Sequence, residues 1–584
     1  MNQNNLAQNT EYQMKKNSTP AWLTTFLLRV AGGINYRKLV KASKNPKLAS
    51  EKTLRSILEL GKDTEFGRTH RFDYILSAAD GDELYRRYTE VIAPSDYEDY
   101  RPYIDRHKQG EANVLVPGKP VMYATTSGTT KEPKWIPITD VYLKTVYGKM
   151  TKVWLYNYIQ NRPKAFYGKL VTIVGKDVEG YAPDGTVAGS VSGVTRRDAP
   201  SFVKEMYAVP GGVYGIKDYN ARYYTIMRLG IECDASIFIT ANPSTLVEVQ
   251  KNVDKYYDQY CDDIEHGTLS HDFDIPDDIR KEVEEQIAPN PKRAAELREL
   301  KKKYGRVLPK HYWPNLQILN TWKCGNTYVY LDKIKGFFPD KCLHQEFGYF
   351  SSECRFGLVM DDTNYSTMFP HYHFYEFMAE EDVDKLNDPE ALKSVKFYQL
   401  HELQQGKRYC PFVTTCSGLY RYNMNDLVEV GTPFYNTPRV FMIQKVNGIV
   451  SMTGEKVHER QFIEAVHSAS AEMKKEVKFF VGFADLEASL YRFYFEFVDA
   501  ATTQAECDQF TQLVDKYLRQ ENVEYVAKRD SLRVHDPAGY MLVENSFEKY
   551  KAACIAEGAR DGQFKMNLLM QDEKRHAKFK ALVK

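Results

Sequence analysis

Hydrophobic and polar positions follow different periods along this chain, and each period predicts a type of element. Apolar residues at helical spacing predict a helix over 50–60. The run 21–31 predicts an amphipathic helix that docks on the main body. Residues 277–304 are charge-rich around Pro289–Pro291, which predicts a solvated helical hairpin. These patterns predict that the first 120 residues are mainly helical. The helical hairpin at 277–304 is expected to lie on the surface.

Short apolar runs predict the strands of an α/β body between about 121 and 438. Buried strands are expected over 170–174 and 236–240, and Pro243 with Ser244 opens a helix after the second strand. Because strands alternate with helices here, a layered α/β domain is the economical interpretation.

A smaller α+β unit is expected beyond Val440. Alternating apolar residues predict strands over 477–483, 491–498 and 531–535, and helical spacing predicts a helix over 503–519. The 584-residue chain also exceeds the size at which one hydrophobic core stops growing. The sequence thus predicts four parts: a flexible tail at 1–19, a large domain at 20–442, a hinge at 443–449 and a small domain at 450–584.

Composition narrows the class of protein. The chain has 79 basic and 78 acidic residues and a net charge of +1, so no overall field favours nucleic acid or an anionic membrane. Nine scattered cysteines without a CxxC pair are typical of a reducing compartment. The apolar run 21–31 is too short to span a bilayer, and it lacks the flanks of a signal peptide. We expect a cytoplasmic protein without membrane or nucleic-acid partners.

The segment Tyr123–Pro137 holds the first candidate chemistry. A strand-like lead enters Thr126-Ser127-Gly128-Thr129-Thr130, and Pro133-Lys134 follows. Backbone amides in a glycine-containing turn form a concave anion site, and hydroxyls and an ammonium group add donors. The GxxxxGK[ST] pattern of P-loop NTPases is absent. The alternative interpretation is an ordinary turn rich in Thr and Ser.

Three further segments are candidates for the site: 313–325, which supplies a strand and a turn, and 348–357 and 414–426, which carry aromatic and acidic residues at close spacing. In the second segment, Tyr349 and Glu353 place an aromatic face and a carboxylate at opposite ends of one small pocket. A strand end with a buried Tyr and a solvated Glu is the alternative. His371 and His373 lie on one side of a strand but lack a third ligand, so a zinc site is not predicted.

Together these segments resemble a known family. The loop at 126–134 is similar to the phosphate loop of adenylate-forming enzymes, TSGTTGxPKG, with Lys131 and Trp135 in place of glycines. The order and spacing of all the segments resemble the acyl-acid amido synthetases of the auxin-responsive Gretchen-Hagen type, a branch of that superfamily. The resemblance extends from about Leu54 to the C-terminus. It implies a large domain of sheets flanked by helices with a β-barrel-like subdomain, and a small, mobile α+β domain.

The resemblance also implies the site residues. Tyr349 would stack on adenine, Ser351 and Ser352 would reach the α-phosphate, and Glu353 would associate with Mg²⁺, which needs few protein carboxylates. Asp426 would accept hydrogen bonds from the ribose hydroxyls. Lys445 would meet ribose or phosphate, and Lys565 would be catalytic in adenylation, as expected for an ammonium that bridges two developing charges. The phosphate-binding residues would be Thr126, Ser127, Gly128, Thr129, Thr130 and Lys134.

Two residues of segment 414–426 need separate treatment in the resemblance to the family. Asn425 replaces the family's glycine before Asp426, and Asn tolerates left-handed backbone better than most residues, so the turn can survive. Arg421 is expected to hold this loop instead of touching substrate.

The implied function is ATP-dependent activation of a carboxylic acid to an acyl adenylate, followed by transfer to an amine, with an amino acid as the expected acceptor. ATP and Mg²⁺ would be the cofactors, and the protein would be a monomer or a weak homodimer. A thioester-forming coenzyme A ligase shares the first step and is one alternative. A non-catalytic nucleotide-binding scaffold is the other, supported by the altered residues Lys131, Trp135 and Asn425. The sequence does not predict which acid is used.

Overall fold

The computed structural model describes residues 18–126, 134–324, 327–386, 388–446, 449–556 and 568–584. The chain divides into two compact units, and the division falls between Gln444 and Lys445. The larger unit precedes this point, and the smaller unit follows it and also includes Thr126, Lys134 and 327–329. The predicted tail at 1–19 lies almost entirely outside the described residues, and the hinge at 443–449 stays a prediction.

Helices build the first part of the larger unit. The predicted helices at 21–31 and 50–60 are confirmed, and both extend beyond the predicted ends. The second helix starts where it does because the Asn45 side chain accepts a hydrogen bond from the Leu48 N–H and Pro46 occupies the first turn. The helices are α1 (Ala21–Lys44), α2 (Pro46–Gly61), α3 (Glu65–Thr69), α4 (Phe72–Leu76), α5 (Gly81–Val91) and α6 (Tyr97–Lys108).

Two sheets and their flanking helices form the middle of the larger unit. The strands are β1 (Met122–Thr126), β2 (Lys134–Ile138), β3 (Lys169–Ile173), β4 (Gly180–Tyr181), β5 (Val187–Gly189), β6 (Ala235–Thr240), β7 (Ile318–Thr321) and β8 (Leu343–Glu346). The helices are α7 (Gly148–Asn161), α8 (Val191–Arg197), α9 (Ser201–Lys204), α10 (Tyr219–Glu232), α11 (Ser244–His266), α12 (Asp277–Glu284), α13 (Pro291–Tyr304), α14 (Pro309–Tyr312) and α15 (Tyr328–Lys333), and a π-helical turn (Tyr142–Tyr147) leads into α7.

One of these sheets has the order β3-β6-β7-β8 with parallel pairs, and the other has the order β2-β1-β5-β4. The predicted strands at 170–174 and 236–240 are confirmed by β3 and β6. The two helices predicted within 277–304 are confirmed by α12 and α13, of which α13 packs on α11 and α12 on the 3-10 turn Gly212–Gly215. All six residues of β6 are buried, as expected for a parallel strand covered on both faces.

An antiparallel sheet completes the larger unit. Its order is β12-β11-β13-β15-β16-β10-β9, with β14 paired to β13. The pairing of Phe374 with Thr414 and of Arg408 with Glu429 fixes the central register and leaves Asp426 at the start of its strand. The elements are β9 (Gly357–Val359), β10 (Ser366–Met368), β11 (Phe374–Ala379), α16 (Pro389–Leu392), β12 (Phe397–Gln399), β13 (Arg408–Thr414), β14 (Tyr422–Asn423), β15 (Asp426–Phe434) and β16 (Thr437–Lys445).

The smaller unit has its own core around a sheet of order β21-β20-β19-β22. The predicted strands at 477–483 and 491–498 and the helix at 503–519 are confirmed. The elements are β17 (Ile449–Val450), β18 (Val457–His458), α17 (Glu459–Met473), β19 (Val477–Asp485), β20 (Leu490–Phe497), α18 (Gln504–Glu521), α19 (Val523–Asp530), β21 (Ala538–Met541), α20 (Ser546–Ala556), β22 (Leu569–Met570) and α21 (Glu573–Lys580).

The strand predicted over 531–535 is wrong. Leu532 has a φ of +60°, which a strand does not contain, and its N–H donates to the Arg529 carbonyl as the chain turns out of α19. The fourth strand of this sheet lies just beyond, at Ala538–Met541, parallel to β20. Elsewhere the mixed α/β class expected from the sequence is confirmed. No helix in the described ranges is long and apolar enough to cross a membrane.

Candidate active site

A tight hairpin carries the predicted residues Ser351, Ser352 and Glu353. Phe350 and Arg355 form an antiparallel bridge, so residues 351–354 make the turn. The Ser351 N–H donates to the Cys354 carbonyl at 2.9 Å, and the Glu353 N–H donates to Ser351 Oγ at 3.2 Å. The three side chains are partly exposed. The hairpin therefore presents two hydroxyls and one carboxylate from a closed, hydrogen-bonded turn.

Gly348 sets the direction from which the chain enters this hairpin. Its φ is +105°, and a Cβ atom there would lie 2.6 Å from the carbonyl oxygen of Gly357. Only glycine meets both conditions without strain. The close approach brings the Gly348 backbone against β9 and fixes where Tyr349 begins.

Tyr349 is buried and held on three sides. Its ring stacks on Phe356 with centroids 4.2 Å apart, and its backbone N–H donates to Ser366 Oγ at 2.7 Å. Its hydroxyl donates to Asp426 Oδ2 at 2.7 Å. Burial, followed by the carboxylate of Asp426, raises the pKa of the Tyr349 hydroxyl, which therefore stays a donor at neutral pH. The ring is thus rigidly placed beside one of the predicted carboxylates.

Asp426 is positioned by the turn before it. Asn425 has a φ of +53°, so the expected left-handed residue is present, and its N–H donates to Asn423 Oδ1 at 2.8 Å. Asp426 is 3% exposed and begins β15. The turn is therefore formed with Asn425 at the position where the resemblance predicted a glycine.

Arg421 holds this loop, as its sequence context predicted. Its Nε donates to both carboxylate oxygens of Glu376, at 3.1 and 3.0 Å, and its Nη1 donates to the Ile92 carbonyl at 2.8 Å. The guanidinium is 5% exposed and the carboxylate 1%. Since these groups satisfy each other, Arg421 acts on the loop and not on a bound molecule.

Glu353 lies close to the same point from the hairpin side. Burial is the main cause of the raised pKa values of Tyr349 and Tyr422, and the carboxylate of Glu353 adds to both, since a nearby negative charge opposes ionisation of a phenol. The structure therefore brings Tyr349, Glu353 and Asp426 together around one small region. An aromatic ring and two carboxylates in this arrangement could contact a nucleoside and a bound cation.

Glu346 belongs to this region and was missed by the sequence reasoning. It ends β8, is 2% exposed, and its carboxylate accepts hydrogen bonds from the N–H groups of Lys323 and of Gly348, the latter at 3.0 Å. Burial raises its pKa to about 7. A strand-terminal acid two residues before a glycine, in Glu346-Phe347-Gly348, was the available signal.

Only some of the other predicted site residues lie within the described part of the chain. Thr126 ends β1 and Lys134 begins β2, while Ser127, Gly128, Thr129 and Thr130 lie outside the described residues. Lys445 ends β16, and Lys565 lies outside the described residues. Their roles stay predictions.

The donor set suits magnesium better than zinc. In the described ranges, no three His, Cys, Asp or Glu side chains cluster as a metal site. Magnesium bound mainly through phosphate oxygens requires only one or two protein carboxylates, which Glu353 can supply from its partly exposed position. His373 does not suit a metal, because its ring is fully buried and its Nε2 lies at hydrogen-bond distance, 3.1 Å, from the Arg355 carbonyl.

Comparison with known families finds matches along most of the chain. Residues 35–343, 366–445 and 460–574 match the N-terminal, central and C-terminal domain models of the GH3 family, respectively.

Individual relatives are distant but extensive. The chain is 24% identical over 563 residues to indole-3-acetic acid-amido synthetase GH3.10 of Arabidopsis thaliana, covering 90% of this chain and 92% of that protein. It is 26% identical over 464 residues to jasmonoyl-L-amino acid synthetase GH3.5 of Oryza sativa subsp. japonica, covering 74% and 77%. The solved structure of AtGH3.15 acyl acid amido synthetase in complex with 2,4-DB superposes with a TM-score of 0.62 at 19% identity, covering 94% and 96%. The fold is therefore shared at low sequence identity.

Proposed function

This chain belongs to the GH3 family, and from that premise we propose that it is an AMP-forming ligase that joins a carboxylic acid to an amine. The observation that carries the proposal is the convergence of Tyr349, Glu353 and Asp426 on one region, with Tyr349 bonded to Asp426 at 2.7 Å. Relatives are named for ligation of indole-3-acetic acid, of jasmonic acid to amino acids, and of 4-substituted benzoates to glutamate. An amino acid is accordingly the proposed acceptor.

The first step is adenylation. A carboxylate oxygen of the acid attacks the α-phosphorus of ATP, the bond from that phosphorus to the bridging oxygen breaks, and pyrophosphate leaves. The chain's contribution is to position two anions and to stabilise the charge that moves toward the leaving group. We assign the phosphates to Thr126, Ser127, Gly128, Thr129, Thr130 and Lys134, and the departing charge to Lys565.

The nucleoside is held by the rigid part of the site. Tyr349 offers a ring face to adenine, and its backbone is held because its carbonyl accepts a hydrogen bond from the Phe356 N–H at 3.0 Å and Gly348 lies against β9. Asp426 accepts from the ribose hydroxyls and Lys445 adds a cation. Ser351 and Ser352 donate to the α-phosphate from the tip of the hairpin.

Glu353 would hold Mg²⁺. The metal ion, when bound to ATP, neutralises phosphate charge and lowers the barrier to attack. What this chain supplies is one carboxylate on a turn that its own hydrogen bonds close.

The second step forms the amide. The amine nitrogen attacks the acyl carbon of the adenylate, the bond from that carbon to the phosphate oxygen breaks, AMP leaves, and the nitrogen loses a proton. We propose that the smaller unit moves between the two steps about the hinge at 443–449, so that the site releases pyrophosphate before it admits the amine.

The cellular location, the absence of nucleic-acid and membrane partners, and the oligomeric state are also proposals. The near-neutral net charge of +1 supports a cytoplasmic protein without nucleic-acid or membrane partners. A monomer or weak homodimer is proposed, and sedimentation velocity over a hundredfold range of concentration tests it.

Product analysis tests the ligase proposal. Purified protein is incubated with ATP, Mg²⁺, a panel of carboxylic acids and the standard amino acids, and products are identified by mass spectrometry. The proposal expects AMP and an amide of one or more acids. If coenzyme A gives a thioester while no amino acid gives an amide, the thioester ligase is correct; if ATP is never cleaved, the non-catalytic scaffold is correct.

The assignment of Lys565 has its own test. Lys565→Ala should abolish AMP formation while ATP affinity, measured by calorimetry, stays within about threefold, because transition-state charge is lost and ground-state contacts remain. Lys164→Ala, an exposed lysine in the larger unit, is the matched control. Normal AMP formation by the Lys565 variant would show that the catalytic lysine is elsewhere.

A further inference from the structure

A cavity of about 560 Å³ lies in the larger unit, bounded by α1, α2, the π-helical turn before α7 and the loop before β11. Tyr349, Glu353 and Asp426 are not among the residues that line it. The volume is in the range of sites that bind small organic molecules. The cavity is therefore large enough for a ligand and separate from the residues proposed to hold the nucleotide.

The mouth of the cavity is cationic. Lys38 and Lys41 on α1 and Lys52 on α2 line it, are exposed, and form no ion pair within the part of the chain that the structure describes. Lys47, on the same helix as Lys52 but outside the cavity, instead pairs with Asp82 at 2.7 Å. Among the described residues, no carboxylate lines the cavity. Three ammonium groups thus face one opening, and no negative charge of the described lining compensates them.

One wall carries a histidine with unsatisfied polar atoms. His371 lines the cavity, and both its ring nitrogens are buried without a hydrogen-bond partner among the described residues. Burial, with the charges of Lys38 and Lys149, lowers its pKa to about 4, so the ring is neutral at pH 7. A neutral ring can donate from one nitrogen and accept at the other. Because buried polar atoms in folded proteins are usually bonded, these nitrogens indicate a polar group supplied from outside the chain.

The floor is apolar. Ile57, Val146 and Tyr372 line it and are 5%, 3% and 9% exposed, respectively. An apolar floor, a neutral polar wall and a cationic mouth together match a molecule with an apolar body and an anionic end, because burial of the body and attraction of the end are then both favourable.

We propose that this cavity binds an amphipathic organic anion, with its apolar body on Ile57, Val146 and Tyr372 and its anionic group among Lys38, Lys41 and Lys52. The ligand is a small carboxylate, and its polar atoms complete the hydrogen bonding of His371. The same chemistry is present in an acid substrate and in a separate carboxylate that regulates the enzyme.

Binding is tested without ATP, so the result does not depend on the proposed function. Calorimetry compares octanoate with octan-1-ol, which has the same chain and no charge, on the full-length protein. Octanoate should bind at least about tenfold more tightly than octan-1-ol, and the triple variant Lys38→Glu, Lys41→Glu, Lys52→Glu should remove that difference. The triple variant Lys164→Glu, Lys204→Glu, Lys310→Glu changes exposed lysines outside the cavity by the same net charge and should bind octanoate as the wild type does.

A second variant measures the contribution of His371 to binding separately from that of the three lysines. His371→Phe keeps an aromatic ring but removes both nitrogens, and it should weaken octanoate binding about threefold to tenfold without weakening octan-1-ol binding equally. Equal affinities for octanoate and octan-1-ol in the wild type, or unchanged octanoate binding in the cavity lysine variant, would overturn the proposal.

The source of the anion is distinguished in the same preparation. Once an acid that supports ATP cleavage is known, competition with octanoate and a raised KM for that acid in the cavity lysine variant identify the cavity as the substrate's pocket. If octanoate binds while the KM is unchanged, the cavity holds a separate regulatory carboxylate. If no acid supports ATP cleavage yet octanoate binds selectively, the ligase proposal fails and the cavity proposal stands.

Discussion

Asp426 is held by Tyr349 on one side and is proposed to hold the ribose on the other. Asp426→Ala should therefore weaken ATP binding by about tenfold to a hundredfold, because a charge-assisted hydrogen bond to the ribose contributes about 1.5–3 kcal/mol. Isothermal calorimetry with ATP measures this. Tyr349→Phe is the control, since it removes only the hydroxyl and keeps the ring on Phe356, so it should change ATP affinity far less. Unchanged affinity in the Asp426 variant would remove the ribose role.

Glu346 makes stability depend on pH. Its pKa in the folded protein is raised to about 7 by burial, so the folded state holds the proton more tightly than the unfolded state does. The stabilising contribution of the protonated carboxyl is complete below the unfolded pKa near 4.5 and is lost as pH rises through about 7. The loss is on the order of 3 kcal/mol, at 1.36 kcal/mol for each pKa unit.

Glu346→Gln removes the titrating group and should flatten this dependence. Urea unfolding at several pH values between 4.5 and 8 gives the free energy of unfolding of both proteins. The difference between wild type and variant should shift in favour of the variant as pH rises. Parallel profiles would show that Glu346 does not titrate in this range.

Residue identities at the site were predictable where a short motif contains them. Glu353 and Asp426 stand at fixed spacings from Tyr349 and Arg421, and the resemblance of these motifs to the family selected them, while their roles stay predictions. Glu346 was not predictable in the same way, because its raised pKa arises from burial at the end of β8 in the parallel sheet, which no local pattern contains. The N–H that donates to its carboxylate belongs to Lys323, 23 positions earlier in the sequence.

At the level of elements, the hairpin at 351–354 depends on the glycine before it. Gly348→Ala adds a Cβ atom 2.6 Å from the Gly357 carbonyl oxygen at a φ of +105°, so it combines a steric clash with backbone strain. Gly406→Ala is a matched control, because Gly406 has a φ of +79° but no atom within 4 Å of the added Cβ.

Both glycine variants should lose about 1 kcal/mol or more from backbone strain, and only the Gly348 variant should lose ATP affinity as well. Urea unfolding reports the first effect and calorimetry the second. Equal ATP affinities in the two variants would show that the hairpin does not depend on the Gly348 contact.

Most elements were predictable because the spacing of apolar residues within each segment is enough to indicate a helix or a strand. The strands at 170–174 and 236–240 and the helix at 503–519 have patterns that no distant contact needs to supply. The segment 531–535 has an alternating pattern too, yet Leu532 adopts a left-handed conformation and the strand lies at Ala538–Met541. Residues 531–535 do not form a strand because the Leu532 and Val534 N–H groups donate to carbonyls in the last turn of α19. The alternating sequence pattern does not indicate these hydrogen bonds.

At the scale of the molecule, each unit has a hydrophobic core of its own, and the antiparallel sheet of the larger unit carries both ends of the candidate site. β9 fixes Tyr349 through Gly348, and β15 begins with Asp426. The α/β class and the start of a second unit near Val440 could be predicted from composition and from the spacing of apolar residues. The pairing β13-β15-β16-β10-β9 could not, because it places Ser366 of β10 opposite Val440 of β16, 74 positions later, and no local pattern sets that register.

The central claim is that a carboxylic acid is converted to its adenylate in this site. Exchange of labelled pyrophosphate into ATP measures that step directly and needs no amine. With the wild-type protein and a panel of acids, exchange should appear only when a suitable acid is present, and Glu353→Ala should reduce it by about a hundredfold or more, as expected when charge stabilisation is lost in the transition state. Binding of ATP without exchange for any acid in the panel would contradict the claim.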